Sequence, residues 1–278
     1  MLAKLTAASG SVHSELERGA ALLKDAGCET PRLDAELLLG ASLRVDRAAL
    51  VTGAREQVGP GPAARYAELL QRRARREPVA YVLGEKPFRR IVLSVDRRVL
   101  IPRPETELLV EVGLELATGA RVADVGTGSG AIALALKDER RDLRVTGIDA
   151  SDSALEMARA NGARLGLEVA WVSADPLDGH EYDAVLANLP YVPEGCELPP
   201  EVALYEPHFA LFGGPDGLDP IRRLLACLGA RADVSAVALE VGSDQADAVG
   251  ALLVGARFDV SSRRRDLAGH ERVVVAGR

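Results

Sequence analysis

The segment from Asp124 to Gly130 has the residue types and spacing of a loop that holds a ligand. It reads Asp-Val-Gly-Thr-Gly-Ser-Gly, and glycine allows a tight turn and a close approach of the backbone to a ligand. A helix that begins directly after the loop would offer free N–H groups. The G-x-G-x-G spacing differs from the G-x-G-x-x-G of dinucleotide-binding loops, and no Lys-Ser/Thr pair follows to bind nucleotide phosphates. The pattern therefore disfavours NAD and ATP.

Further acids follow the next predicted strands. Asp149 is expected to close the second strand, where a carboxylate can accept two ribose hydroxyls. Asp175, with the adjoining Pro176, is expected at the end of the third strand. This order of acids and glycines resembles the S-adenosylmethionine-dependent methyltransferases of the Rossmann-like class. The resemblance implies S-adenosylmethionine as cofactor, with contacts from Asp124, Gly126, Thr127, Gly128, Ser129, Gly130, Asp149, Asp175, Pro176 and Asn188.

A second motif, Asn188-Leu189-Pro190-Tyr191, follows the fourth predicted strand. It resembles the N-P-P-Y motif of methyltransferases that act on planar amide-like or exocyclic nitrogens. Such a nitrogen is hardly basic, so its two N–H groups must be gripped to orient the lone pair. The Asn188 side-chain carbonyl and the Leu189 backbone carbonyl can accept those bonds, Pro190 can rigidify the turn, and Tyr191 can stack on the planar group. An ordinary turn after a strand is the alternative interpretation.

The remaining nucleophilic and metal-binding residue types form no pattern. Three cysteines and four histidines are scattered along the chain, without C-x-x-C pairs or the i, i+4 histidine spacing of a helical metal site. We therefore predict no metal and no disulfide framework. Methyl transfer to an amide needs no Cys, His or Ser nucleophile, because the sulfonium releases a neutral thioether.

Hydrophobic periodicity predicts a helical bundle in residues 1–77 and a hairpin linker in 78–103, with strands formed within 88–101. Helices and strands alternate from Pro104 onward, which predicts a mostly parallel, doubly wound α/β sheet over residues 104–278. Strands are expected at 121–126, 144–149, 168–173, 183–188 and 235–241, with a final pair near 257–262 and 271–276, and helices at 130–138, 152–162, 219–229 and 245–255.

Composition and charge set the broad class. Apolar residues make up 47% and charged residues 27% of the chain, the balance of an ordinary globular protein. No apolar run approaches the roughly 20 residues of a membrane span, and no secretory signal is present, so we expect a cytoplasmic protein. The net charge is −7, yet residues 65–103 hold 11 Lys/Arg against 4 acids. That excess could form a basic face for an anionic partner or a solvated helix face with local pairs such as Glu68 with Arg72.

Five segments, in this order, together resemble the release factor glutamine methyltransferase family (HemK/PrmC). They are Ile101–Glu107, Gly126–Gly130, Asn188–Tyr191, Tyr205–Pro207 and Gly213–Asp219, and the similarity extends to Asp266–Arg272. The resemblance implies methylation of the side-chain amide of the glutamine in the Gly-Gly-Gln loop of peptide chain release factors. It also implies that Asn188 and Tyr191 act at the target amide and that residues 1–77 help to dock the release factor. Arg103 and Glu105 are expected either to help close the substrate site or only to begin a helix.

Two departures from the family pattern keep an alternative open. Leu189 stands where the family usually has proline, and Arg89-Arg90 stands where it usually has an aromatic-glycine pair. Asn-Leu-Pro-Tyr also resembles the motif of ribosomal RNA adenine dimethyltransferases, so an RNA or DNA adenine N6-methyltransferase is the second candidate. The net negative charge and the scarcity of aromatic residues for base stacking make a nucleic-acid substrate the weaker expectation. An RNA- or ribosome-binding protein with a degenerate methyltransferase domain is opposed by the intact glycine loop, Gly126 to Gly130, and Asp149.

Overall fold

A computed structural model describes residues 10–278, which divide into two compact units. The first unit contains the described residues up to Gly84 together with Pro199–Tyr205. The second contains Glu85–Leu198 and Glu206–Arg278. In residues 10–278, no helix has both the length and the apolar character needed to cross a membrane.

The first unit is helical, as the periodicity predicts. Helices are numbered along the chain, and this unit contains α1 (Val12–Asp25), α2 (Pro31–Leu43), α3 (Arg47–Thr52), α4 (Pro60–Ala74), α5 (Val79–Leu83) and α9 (Pro200–Tyr205). Side chains such as Leu23, Leu38, Tyr66 and Leu70 are fully buried between them. Helix α5 continues the helical region to Gly84, beyond the expected boundary at residue 77.

Of the two helix starts at Asp46 and Thr30, only the first has a side-chain cap. Asp46 accepts a hydrogen bond from the N–H of Ala49 at 2.8 Å and caps α3, as expected from its position. Thr30 precedes Pro31 but makes no capping bond to the backbone. Its hydroxyl instead donates to the Asp34 carboxylate at 2.8 Å, because that acceptor lies one helical turn away.

The arginines of residues 65–103 mostly form ion pairs with acids of the same unit. Arg72 pairs with Glu77 rather than with Glu68. The buried Arg73 guanidinium bonds to Asp34 at 2.7 Å and to Glu201 at 2.9 Å. These pairings consume much of the positive charge, so the segment does not present one continuous free basic face. Further pairs join Arg76 to Glu201, Arg89 to Glu139, Arg98 to Asp96 and Arg103 to Glu206.

The predicted hairpin is present but shorter than expected. It consists of the antiparallel strands β1 (Glu85–Phe88) and β2 (Ile91–Ser94), joined through Arg89-Arg90. Arg89 adopts a positive φ of 49° at the turn, and its side chain pairs with Glu139. The strand expected at Val99-Leu100-Ile101 is wrong. The prolines on either side of Arg103 lack N–H donors for a strand, and the N–H of Ile101 donates to the Glu206 carboxylate at 3.1 Å.

The second unit is built on a seven-stranded sheet, which confirms the predicted fold class. Its strand order is β5-β4-β3-β6-β7-β9-β8, with β3 to β7 parallel and the last two strands antiparallel to their neighbours. The strands are β3 (Arg121–Val125), β4 (Arg144–Asp149), β5 (Ala170–Ser173), β6 (Ala184–Ala187), β7 (Ala236–Glu240), β8 (Asp259–Arg265) and β9 (Glu271–Gly277).

The helices of this unit lie close to their predicted positions. They are α6 (Glu107–Leu114), α7 (Ala131–Glu139), α8 (Asp152–Leu165), α10 (Asp219–Gly229) and α11 (Ala246–Gly255), and a short 3₁₀ helix covers Pro104–Thr106. Helix α7 is apolar and buried from Ala131 to Leu136. The strand order reverses between β3 and β6, and ligands of open α/β sheets bind where this reversal opens a crevice at the carboxyl ends of the strands. The glycine loop follows β3 and Asn188 follows β6, so both predicted motifs flank this point.

The buried ion pair in the first unit gives a stability prediction. We expect Asp34→Ala to lower the free energy of unfolding of the helical unit by about 3 kcal/mol, because the buried Arg73 guanidinium loses a partner. Hydrogen exchange of backbone amides in α2 and α4 measures this change locally. Tryptophan fluorescence would not, since the single tryptophan, Trp171, lies in the sheet unit.

Glu17→Ala is the matched control, because it removes the exposed ion pair with Arg32. An exposed pair of this kind contributes less than about 1 kcal/mol. Equal loss of protection in the two variants would contradict a special contribution from the buried pair.

Candidate active site

The carboxyl ends of β3, β4 and β6 border a cavity of about 450 Å³ within the sheet unit. This volume is in the range of pockets that bind small ligands and cofactors. Ten of the predicted site residues line it, namely Gly126, Thr127, Gly128, Ser129, Asp149, Asp175, Pro176, Asn188, Leu189 and Pro190. The sequence thus locates both halves of one cavity although the two motifs are far apart along the chain.

The remaining predicted residues lie outside the lining of this cavity. They are Asp124, Gly130, Tyr191, Arg103 and Glu105. Their contacts with protein groups around the cavity are described below.

The glycine loop turns in a way that requires glycine. Gly126, Gly128 and Gly130 have φ values of 73°, 55° and 83°, a region that residues with a Cβ rarely adopt. At Gly130, a Cβ atom would also lie 2.9 Å from Leu134 and 3.0 Å from Trp171. The loop therefore passes directly from β3 into the first turn of α7, whose N-terminus is close to the cavity.

Asp124 holds this loop from beneath. Its side chain is fully buried, and Oδ2 accepts hydrogen bonds from the Thr127 hydroxyl at 2.6 Å and the Ala133 N–H at 3.1 Å. Burial raises the pKa of Asp124 to about 7, while those two hydrogen bonds act in the opposite direction. Asp124 is thus placed to fix the loop rather than to touch a ligand in the cavity.

Asp149 presents a partly satisfied carboxylate at the end of β4. Oδ2 accepts the Gly128 N–H and Oδ1 accepts the Ser151 N–H, each at 2.9 Å. Burial raises the pKa of this carboxyl group, and the backbone N–H donors partly oppose that rise. Each oxygen keeps a lone pair for a further donor. This donor set fits the two hydroxyls of a ribose, and with the glycine loop it suits the cofactor that the sequence resemblance implies.

Asn188 and Leu189 form the opposite wall. The Asn188 side-chain N–H donates to the Thr106 hydroxyl at 3.1 Å, which leaves its carbonyl oxygen as the group that can accept a hydrogen bond from a ligand. Leu189 turns its side chain toward Gly126, where a Cβ would lie 3.1 Å from the leucine Cδ2. The Leu189 side chain therefore packs against the glycine loop. The Leu189 backbone carbonyl remains part of the Asn188–Tyr191 motif.

Tyr191 is directed toward a buried acid. Its hydroxyl donates to Oε1 of Glu240 at 3.5 Å, and burial is the main cause that raises the tyrosine pKa. The Tyr191 backbone carbonyl accepts a hydrogen bond from the Gln245 side chain at 2.9 Å. Gln245 also donates to the carbonyl of Asp216 at 3.3 Å, which ties the Asn188–Tyr191 motif to the Gly213–Asp219 segment.

Arg103 and Glu105 do not reach the cavity as a closing pair. The Arg103 guanidinium bonds to the carboxylate of Glu206, which is only 3% exposed. The other Glu206 oxygen accepts the Ile101 N–H. Glu206 therefore anchors the segment before α6, which gives a physical reason for an acid in the Tyr205–Pro207 motif. Glu105 is half-buried, and its charge raises the pKa of Glu240.

Sequence reasoning missed a further set of residues on the cavity wall. Most of them lie in loops or short 3₁₀ helices, for which periodicity gives no signal, and Arg223 lies on α10. They include Arg98, Val99, Leu100, Pro102, Thr106, Phe209, Ala210, Phe212 and Arg223. Pro102 and Thr106 lie within Ile101–Glu107, one of the segments that carry the family resemblance, and the prolines at 102 and 104 are typical of an irregular segment.

Within residues 10–278, no three or more His, Cys, Asp and Glu side chains are grouped so that they could hold a metal ion. The polar side chains that line the cavity carry hydroxyl, carboxylate, amide and guanidinium groups.

Comparison with protein families gives two matches. Residues 15–84 match the PrmC N-terminal domain, and residues 104–200 match the methyltransferase small domain. A methyltransferase structure from Pyrococcus furiosus superimposes with a TM-score of 0.52 at 15% identity, covering 66% of this chain and 87% of that one. This likeness supports the fold.

Full-length relatives identify the family. A release factor glutamine methyltransferase from Mycolicibacterium smegmatis is 41% identical over 280 residues, which cover 96% of this chain and 98% of the relative. One from Caulobacter vibrioides is 39% identical over 266 residues, covering 91% of each chain. These matches confirm the resemblance inferred from the five sequence segments, and the chain belongs to the release factor glutamine methyltransferase family.

Proposed function

We propose that this protein transfers a methyl group from S-adenosylmethionine to the side-chain amide nitrogen of the glutamine in the Gly-Gly-Gln loop of peptide chain release factors. One observation carries the proposal. Asn188 lines the same cavity as the glycine loop and Asp149, and Thr106 engages its N–H group. The Asn188 carbonyl is then available to an N–H donor such as a glutamine amide. A cytoplasmic location follows from this substrate.

The cofactor site comprises the glycine loop and the ends of β4 and β5. Asp149 binds the ribose hydroxyls, and the backbone of Gly126 to Ser129 lies against the rest of the cofactor. Asp175 and Pro176 complete the wall after β5. When bound, S-adenosylmethionine supplies an electrophilic methyl group on a positively charged sulfur.

The protein orients the amide rather than reacting covalently with it. The Asn188 side-chain carbonyl and the Leu189 backbone carbonyl accept the two amide N–H bonds, which points the nitrogen lone pair toward the methyl group. As the nitrogen bonds the methyl group, whose former bond to sulfur breaks to leave a neutral thioether, the nitrogen becomes positive and its N–H groups become stronger donors. The bond to Asn188 therefore strengthens more in the transition state than in the ground state, which is the condition for raising kcat. One N–H proton, made acidic by the positive charge, is then lost to give the neutral methylated amide.

The helical unit is proposed to dock the release factor. Its residues 15–84 match the PrmC N-terminal domain. On α3, Leu50 is buried while the neighbouring Val51 is 76% exposed. Val51 is the most exposed large apolar side chain among the described residues of the helical unit, which makes it the residue that we choose for a test of docking.

Replacing Asp149 tests the cofactor site. We expect Asp149→Ala to weaken S-adenosylmethionine binding by roughly 1.5–3 kcal/mol, the scale for hydrogen bonds to a charged group, because the ribose hydroxyls lose their acceptor. Titration calorimetry measures the affinity. Asp152→Ala is the control, since this substitution removes the same charge from an exposed position at the start of α8. An unchanged affinity of Asp149→Ala would remove this carboxylate from the cofactor site.

Replacing Asn188 tests the substrate and the chemistry. We expect Asn188→Ala to reduce kcat for release factor methylation by about 100- to 1,000-fold, the loss typical of one preorganised polar partner. Cofactor affinity should change little. The assay gives labelled S-adenosylmethionine to separate pools of release factor and ribosomal RNA, with the exposed Cys196→Ala as a surface control.

Two results would contradict this proposal. Near-normal single-turnover methylation by Asn188→Ala would exclude the proposed grip on the amide. Methylation of adenine in the RNA pool by the wild-type protein, with none on the release factor, would overturn the substrate while leaving the cofactor site intact.

Replacing Val51 tests docking. We expect Val51→Asp to raise KM for intact release factor about 5- to 30-fold, equivalent to about 1–2 kcal/mol of an interface contact. The kcat value and methylation of a short Gly-Gly-Gln peptide should be unchanged. Leu267→Asp is the matched control, because Leu267 is a fully exposed apolar residue of the sheet unit. A KM equal to that of wild type would exclude Val51 from the docking surface.

A further inference from the structure

Glu240 is a buried acid that the proposed mechanism leaves without a role. It is the last residue of β7 and only 1% exposed. In the parallel pairing of β6 with β7, Ala187 lies opposite Leu239. The next residues along the two strands are Asn188 and Glu240, so the acid and the amide occupy adjacent strand ends.

The groups around Glu240 do not supply hydrogen-bond donors to both of its carboxylate oxygens. The Tyr191 hydroxyl reaches Oε1 at 3.5 Å, while Oε2 has no hydrogen-bond partner among the residues that the structure describes. The Thr106 hydroxyl and the positive charge of Arg272 lower the pKa of Glu240, the negative charge of Glu105 raises it, and burial dominates and brings it to about 7. A buried carboxyl group with an unsatisfied oxygen is costly, so its presence calls for a functional explanation.

Hydrogen-bond direction supplies that explanation. Asn188 donates its side-chain N–H to the Thr106 oxygen, so the single hydroxyl hydrogen of Thr106 remains for another acceptor. Glu240 lies at the strand end next to Asn188, and the Thr106 hydroxyl lowers its pKa, so this carboxylate is the acceptor to which we assign that hydrogen. If the Asn188 amide were rotated by 180°, its carbonyl oxygen would compete with Glu240 for that hydrogen. An acceptor at Glu240 therefore favours the amide orientation that turns the Asn188 carbonyl oxygen away from Thr106.

We propose that Glu240 is a positioning residue for methyl transfer, which through Thr106 and Tyr191 fixes the Asn188–Tyr191 motif so that the Asn188 carbonyl faces the target amide. This inference rests on the proposed function. Glu240 acts on the substrate only through its neighbours, because Asn188 and Thr106 line the cavity and Glu240 does not.

The test uses full-length variants of nearly equal side-chain size. We expect Glu240→Met and Thr106→Val each to lower kcat by about 10- to 100-fold, the range for partners that orient a functional residue, while KM changes less than about threefold. S-adenosylmethionine affinity should be unchanged. Thr106→Ser, which keeps the hydroxyl, should recover most of the kcat lost in Thr106→Val.

Thermal stability and the kcat of a double variant distinguish a positioning role of Glu240 from a purely structural one. Glu240→Met removes an unsatisfied buried oxygen, so its thermal midpoint should equal or exceed that of wild type. The double variant Glu240→Met/Thr106→Val should be no slower than the slower single variant, because both residues act through one chain of hydrogen bonds. Glu194→Met, which replaces an exposed acid three residues after Tyr191, is the control and should keep wild-type kcat.

Several outcomes would overturn the proposal. These are a wild-type kcat in Glu240→Met or in Thr106→Val, or fully multiplicative losses in the double variant. If Glu240→Met does not fold, the Thr106 pair of variants decides. Solvent exchange of the Asn188 side-chain N–H, followed by NMR, should be faster in Thr106→Val and Glu240→Met than in wild type. This readout needs no substrate, so it tests Glu240 even if the wild type methylates no release factor, which would refute the proposed function alone.

Discussion

The buried carboxylate of Asp124 is the constraint on which the order of the cavity depends. Three glycines with positive φ make the loop after β3 intrinsically mobile in the unfolded chain. Asp124 restrains it by joining Thr127 to the first turn of α7, with bonds worth about 1.5–3 kcal/mol each when made to a charged group. The Gly128 N–H can then meet Asp149 at 2.9 Å. The orientation of the Asp149 carboxylate at the end of β4 therefore depends on Asp124 of the neighbouring strand β3.

Around the cavity, other side chains likewise hold irregular segments in place by hydrogen bonding to backbone groups. Asn161 donates to the carbonyls of Ser94 and Ser129, each at 3.0 Å, and accepts the Ser94 N–H at 2.8 Å. It therefore ties the end of the hairpin to the glycine loop. Glu206 does the same for Ile101, and Gln245 does it for Tyr191. Irregular segments need such anchors because no strand ladder satisfies their N–H and C=O groups.

The sequence was sufficient for the parts of the molecule that obey periodic or local rules. The alternation of helices and strands predicts the sheet, and the boundaries of β4 and α10 agree to the residue with the predicted ranges. Ten of the predicted site residues line one cavity because loops after parallel strands must meet at the same sheet edge.

The failures come from contacts between distant parts of the chain. Val99-Leu100-Ile101 has the composition of a strand, yet it forms none. Its Ile101 N–H instead donates to Glu206, more than a hundred residues later. The same acid takes Arg103 away from the cavity. Glu240 lies in no motif, and only the fold brings Thr106 and Glu240 beside Asn188 and Tyr191. A single sequence holds no signal for such pairings.

The segment Pro199–Tyr205 has a consequence for how the protein can be divided. It lies in the sequence between β6 and α10 of the sheet unit, yet it belongs to the helical unit, where Glu201 pairs with Arg73 and Arg76. The polypeptide therefore passes from one unit to the other three times, at residues 84–85, 198–199 and 205–206. Neither unit is a continuous stretch of chain, so a single cut after Gly84 leaves the N-terminal fragment without Pro199–Tyr205, while the C-terminal fragment carries that segment without the helices it packs with. Recombination that replaces only one of the two stretches of the helical unit would leave Arg73 buried without Glu201. The two stretches must therefore be inherited together.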